Sequence, residues 1–210
     1  MTRHWSTWFL VAVLVLVAAA CSSPDHAGSA VEPAGPTGAT EIPGGSMERL
    51  PRPSAPVVPA SQQEAADTVT RYLQRTIDAL PPGTGLDGRR YGTNVQVTYC
   101  EDDPADENAP VLVQDLRDMT LPPDTDTPTI VARTGEIWQQ WGWDVVERDG
   151  FPKPNRFGYA ADGYSLQIVA RADTRQAPSL TGVSPCFPGS LRDDWVQRPP
   201  LMTQSPRPAG

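Results

Sequence analysis

The chain has 210 residues, enough for one domain of ordinary size with extended flanks. Acidic residues outnumber basic ones 25 to 17, a formal net charge of −8, and an acidic chain repels phosphate backbones, so nucleic-acid binding is disfavoured. The only histidines are His4 and His26, both in the first 26 residues. The remainder therefore has no imidazole for a Ser-His-Asp or Cys-His relay and no His ligand for zinc.

Residues 1–8 are polar to amphipathic and carry Arg3, and Phe9–Ala20 is an unbroken apolar run of twelve. Twelve helical residues span about 18 Å, short of the ~30 Å hydrocarbon core, so residues 1–20 read as an export signal rather than a membrane span. The run ends in Ala18-Ala19-Ala20-Cys21, which is similar to the lipobox of bacterial lipoprotein signals. That resemblance implies cleavage before Cys21, a diacylglycerol on its thiol and anchorage on the extracytoplasmic face of the cell membrane. A secreted protein without lipid and an uncleaved anchor are the alternatives. Two or three acyl chains on one cysteine anchor stably, where a single chain does not.

Residues 22–60 contain eight Pro, five Gly, five Ser and six Ala, without hydrophobic periodicity. Such a stretch cannot bury enough surface to offset its ordering entropy, so residues 21–60 read as the lipidated cysteine and a disordered tether. As a Gly-like coil the tether spans about 35 Å. The folded domain is then expected over residues 61–195, with 196–210, which holds four prolines, as a loose tail.

Within that domain Ser61 and Glu64 have capping-box spacing, and Ala66, Val69, Leu73, Ile77 and Leu80 form one apolar stripe of a helix that Pro81-Pro82-Gly83 stops. Gly83–Gly88 spells G-x-G-x-x-G, but a helix precedes it and a strand follows. That is the reverse of a dinucleotide fingerprint, so it reads as a loop. Arg89-Arg90 beside it is either a solvated pair or an anion contact. Thr93–Cys100 alternates as a strand, and Val111–Met119 is a weaker strand candidate. A second helix starts at Asp126/Thr127 with Pro128 in its first turn. Ile130, Thr134, Ile137 and Trp141 share its inner face, Trp138 lies on the edge of that face, and Gly142 caps its end. Trp143–Arg148 reads as a further strand. Asp162-Gly163 reads as a two-residue type I′ turn that pairs Ala161 with Tyr164, Tyr159 with Leu166 and Phe157 with Ile168, all on one face. The element order αββ-αβββ predicts an α+β fold: a mostly antiparallel sheet of four to five strands with two helices packed on one face.

The three cysteines are Cys21, Cys100 and Cys186. With Cys21 acylated, Cys100 and Cys186 form an even pair in an oxidising compartment and are expected to bond, a free or reactive thiol being the alternative. The bond would pin a C-terminal segment of little periodicity and let it bury Phe187 and Trp195. Glu101-Asp102-Asp103 with Asp106-Glu107 suits a cation by composition, but it lacks the EF-hand spacing and glycine, so a solvated acidic loop is expected. No metal and no other cofactor is expected. Trp138, Trp141 and Trp143 read as core packing, or else as an aromatic wall for an apolar ligand.

The lipobox-like site, the Pro/Ala/Gly tether, Gly142-Trp143-Asp144-Val145, Gly163-Tyr164-Ser165-Leu166 and Ser184-Pro185-Cys186 together resemble mycobacterial and other actinobacterial Lpp-type lipoproteins. That resemblance implies a place at the cell envelope and no particular chemistry. Three functions follow from the residues: a non-catalytic binding or accessory module for an envelope protein, a carrier of a small apolar or lipid-like ligand, and a carboxylate-dependent hydrolase. An open sheet face lined by Gln96, Thr98, Ser165 and Gln167 would favour the first. A closed apolar cavity behind the sheet would favour the second, and two facing buried carboxylates the third.

Overall fold

The computed structural model describes residues 50–173, 176–193 and 195–206. The chain divides into two units, Met1–Met47 and Glu48–Gly210, and the first, which holds the expected export signal and Cys21, lies outside the described residues.

Helix α1 (Gln62–Asp78) begins where the capping-box spacing places it. Ser61 Oγ accepts from the Glu64 amide at 3.1 Å, while Glu64 Oε2 accepts from the Ala60 amide at 2.8 Å, one residue beyond the usual reciprocal partner. Its stripe of Ala66, Val69, Leu73 and Ile77 is buried. Helix α2 (Thr127–Gln140) is capped by Asp126, whose carboxylate accepts from the Thr129 amide at 2.9 Å, and Gly142 follows it with φ 79°.

The sheet is wider than expected. Eight antiparallel strands, rather than four to five, run as β1 (Gly85–Asp87), β2 (Gln96–Tyr99), β3 (Val111–Thr120), β4 (Asp144–Val146), β5 (Asn155–Tyr159), β6 (Ser165–Val169), β7 (Ser179–Val183) and β8 (Leu201–Thr203). Their order is β4-β5-β6-β7-β3-β1-β8, with β2 also pairing on β3. Gln114 pairs with both Gln96 and Val183, and Asp118 with both Asp87 and Ser179, so β1 and β2 share one side of β3 and β7 takes the other. The weaker strand candidate is thus the longest strand and the centre of the sheet. It reads weakly because two of its five inward positions, Asp115 and Arg117, are charged.

Both helices lie on one face. Gly158, Leu166 and Gly182 stand directly opposite one another across β5, β6 and β7. A Cβ on Gly182 would come within 2.6 Å of Val69 of α1, and one on Gly158 within 2.7 Å of the Trp138 ring of α2. Glycine at these two positions is what lets each helix descend onto the sheet. Leu73, Ile77, Trp138, Leu166, Ile168 and Leu180 fill the space between.

The hairpin register differs from expectation by one residue. Gly163 N–H bonds to Ala160 O at 3.1 Å and Ala160 N–H to Tyr164 O at 2.9 Å, enclosing a three-residue loop, and Gly163 has φ 93°. Gly158 therefore faces Leu166 and Arg156 faces Ile168. The slip turns Phe157 and Tyr159 to the far face, while Tyr164, Leu166 and Ile168 stay on the helix side. The tryptophans are corrected likewise: Trp138 is fully buried and donates to Thr76 Oγ1 at 3.1 Å, whereas Trp141 is half-buried under the Arg75 guanidinium, 3.9 Å from its ring centre.

Residues 196–206 are not a loose tail. Val95 N–H bonds to Val196 O and Arg198 N–H to Thr93 O, β8 then pairs with β1, and Gln204 Nε2 donates to the carbonyls of Ile77 and Leu80 at the end of α1. The segment before α1 is docked as well, through Ala55 N–H to Ala161 O at 2.9 Å and Val57 N–H to Asp162 O at 3.0 Å.

Candidate functional site

The side of the sheet away from the helices carries the four residues singled out from the sequence. Gln96 and Thr98 of β2 stand opposite Gln114 and Leu112 of β3. Gln114 then faces Val183 of β7, and Val183 faces Ser165 of β6. One step along, Leu116, Thr181, Gln167 and Phe157 form a second row. Amides and hydroxyls thus alternate with half-buried Leu112, Leu116 and Val183. One corner is covered. The segment after β4 folds back, Phe151 packs on Phe157 with ring centres 4.8 Å apart, and Asn155 binds Arg148 through both its amide oxygen and its amide nitrogen. Phe157 is buried on this face for that reason.

A charged cluster closes one end of the face. Asp87 and Asp118 are directly opposite in the β1–β3 pair, where like charges repel. Arg89 grips Asp87 through several donors, its Nη2 at 2.6 Å, and these bonds hold the Asp87 carboxyl down at about 2. Arg90 Nε meets Asp118 at 2.8 Å, Arg171 pairs with the same carboxylate, and Tyr91 OH donates to it at 2.9 Å. Three guanidiniums thus answer two carboxylates. Arg90, Asp118 and Arg171 line a cavity of about 250 Å³ with Met119, Gln176 and Ala177. Of the arginine pair read from the sequence, Arg89 pairs with Asp87 and Arg90 with Asp118, which it shares with Arg171.

Buried beneath α1 is a second ionic group that sequence reasoning missed. Asp115 and Arg117 of β3 and Arg198 of the C-terminal segment are nearly inaccessible. Arg117 Nε and Nη2 donate to Asp115 Oδ2 at 2.9 and 2.8 Å, and Arg198 Nη1 pairs with Oδ1. Two cations share one anion, and backbone oxygens take the surplus donors: Pro199 O from Arg117, and Leu116 O, Gly88 O and Gly92 O from Arg198. The signal lay in the alternation of β3, which puts residues 115 and 117 on its inward side. Among the described residues Asp115 is the one carboxylate this buried, and it faces arginines, not a second carboxylate.

Cys100 and Cys186 form the expected disulfide, with Cα atoms 6.3 Å apart. Phe187 behind it exchanges two backbone hydrogen bonds with Val111 and is buried, but Trp195, expected to bury with it, is 83% exposed. In the acidic loop Asp106 accepts from the Asn108 amide at 2.7 Å and shapes a turn. Among the described residues no three His, Cys, Asp or Glu side chains gather as a metal site. Comparison with protein-family models, with curated proteins and with solved structures finds no match to this chain.

Proposed function

We propose that this chain is a lipid-anchored cell-envelope lipoprotein of the Lpp type, held by Cys21, and that it works as a non-catalytic binding or accessory module through the face of its sheet opposite the helices. The observation that carries the reading is the placement of Gln96, Thr98, Ser165 and Gln167 together on that face. A rigid antiparallel platform with amide and hydroxyl groups set among partly exposed aliphatic ones can hydrogen-bond and desolvate a protein surface at once. The carrier reading has less support, because Leu73, Trp138, Leu166 and Ile168 occupy the space between helices and sheet. The hydrolase reading has less again, since the Asp115 carboxylate is held by two arginines.

The test is site-specific photo-crosslinking in the membrane-anchored chain. A photoreactive residue at Gln167 should give a discrete adduct with an envelope protein, and the same residue at Gln139, exposed on α2, should not. Equal labelling from both positions, or none from Gln167, would sink the reading of this face. Cys21→Ser tests the anchor separately: the protein should leave the membrane or accumulate as precursor.

A further inference from the structure

Seven large hydrophobic residues are exposed among the described residues: Leu50, Val57, Val58, Phe151, Leu191, Trp195 and Leu201. Five of them belong to two segments, one that leads into α1 past the β5–β6 hairpin turn and one that is tied to Gln62 at the start of α1. Leu50, Val57 and Val58 lie in the segment that leads into the Ser61 cap. Leu191 and Trp195 flank Asp193, whose backbone is clasped by Gln62: Gln62 Nε2 donates to Asp193 O at 2.6 Å and Asp193 N–H donates to Gln62 Oε1 at 2.8 Å. Trp195 N–H bonds to Asp193 Oδ1 at 2.9 Å, and its ring is left 83% exposed.

Val57 is held by the hairpin at Asp162 and Gln62 by Asp193, so the two segments are ordered where they present apolar groups. The first of these segments is also the one that joins the domain to Cys21. Residues 22–49, 28 in number and rich in Pro, Gly, Ala and Ser, make the whole link between that cysteine and Leu50. A link of that length spans roughly 30 Å as a coil, which sets an effective concentration of about millimolar between domain and bilayer. Contacts too weak to recruit a free protein are therefore sufficient for an anchored one. Tryptophan and branched aliphatic side chains suit the headgroup–acyl boundary, where an aromatic ring keeps one apolar side and one wet edge.

We infer that Trp195, with Leu191, Val57 and Val58, is a second, non-covalent membrane contact that seats the α1 N-terminal end of the domain on the bilayer. The inference rests on the lipid-anchor reading. The occupant is the lipid interface in which the acyl chains of Cys21 sit, and the contact is apolar, so it persists at high salt.

The test uses the full lipidated chain in phosphatidylcholine vesicles whose acyl chains carry bromine, a contact quencher of tryptophan. Trp138 and Trp143 are buried within the domain and Trp141 lies under Arg75, which leaves Trp195 as the described ring open to the quencher. Brominated vesicles should quench the wild type at low and high salt alike, and Trp195→Phe should lose most of that quenching. Trp195→Phe leaves the buried core untouched, and an unaltered melting temperature of this variant checks that the fold is kept. Lipid found on Cys21 by intact mass with no quenching from Trp195 overturns the inference alone. An intact mass showing no lipid on Cys21 overturns the anchor reading and this inference with it.

Discussion

Asp115, Arg117 and Arg198 form an uneven triad, two cations to one anion, and both arginines stay buried because backbone carbonyls complete their hydrogen bonding. Removing one partner of a buried ion pair leaves an uncompensated charge, which costs about 3–5 kcal/mol. Asp115→Asn keeps the size of the side chain but leaves two guanidiniums without a counter-charge, so it should destabilise the domain by about that amount in urea unfolding. Arg198→Met should be milder. It leaves the Asp115–Arg117 pair balanced, and its principal loss is the set of bonds to the Gly88, Gly92 and Leu116 carbonyls. Equal losses for the two variants would mean that charge imbalance does not dominate this site.

At the scale of elements, Tyr72 ties α1 to the β5–β6 hairpin. Its hydroxyl donates to Asp162 Oδ2 at 2.6 Å and its ring meets Trp143 edge-on with centres 4.9 Å apart. Burial first, and then the bond to the Asp162 carboxylate, push this phenol up to about 12 from its ordinary 10. A raised pKa in the folded state means that the native chain holds this proton more tightly than the unfolded chain. The linked stability is full below pH 10 and is lost as pH rises from 10 towards 12. The stability advantage of wild type over Tyr72→Phe, constant below that window, should shrink across it in pH-dependent melting. An unchanged difference would dissociate the hydroxyl from the hairpin. The same elements mark what was legible in advance. Both helices could be read because their signals are local: a cap, an apolar stripe and a stop. β1 and β8 could not, since three residues are too few to show alternation and their pairings are long-range, β1 with β3 and β8 and β8 with β1 alone. The hairpin register failed because Asp-Gly fits both a two-residue loop and a three-residue loop ending in glycine, and the latter is the one that sets Gly158, rather than a residue with a side chain, against Trp138 and Trp143. Of the candidate face, the polar positions of β2 and β6 were readable from alternation. The Asp87–Asp118 repulsion that gathers the arginines needs the β1–β3 pairing and was not.

At the scale of the whole domain, residues 186–203 touch elements far apart in the sequence. From Cys186 the chain pairs with Val111 through Phe187, clasps Gln62 at the start of α1, runs beside Thr93–Val95, supplies Arg198 to the buried triad and finishes as β8 against β1. Most of these contacts are single hydrogen bonds or short pairings, with Phe187, Val196 and Met202 as the buried apolar side chains along this path. The Cys100–Cys186 bond starts that run, and it closes a loop with a sequence separation of 86. In the chain-entropy model a loop of that size is worth roughly 4–5 kcal/mol, with measured values for native bridges more often about 2–5. Replacing both cysteines by serine should therefore lower unfolding free energy by about 2–5 kcal/mol. The loss should be uneven. α1 and α2 keep their caps and their packing on β5–β7, whereas residues 186–203 lose the tie from which they are laid down. Hydrogen exchange should show the amides of Val95, Phe187 and Arg198, all bonded across this segment, losing protection well before those of Leu166 and Ile168 in β6. Uniform loss across both sets would show instead that the C-terminal run and the helix–sheet core unfold as one unit, with the disulfide acting on the unfolded chain alone.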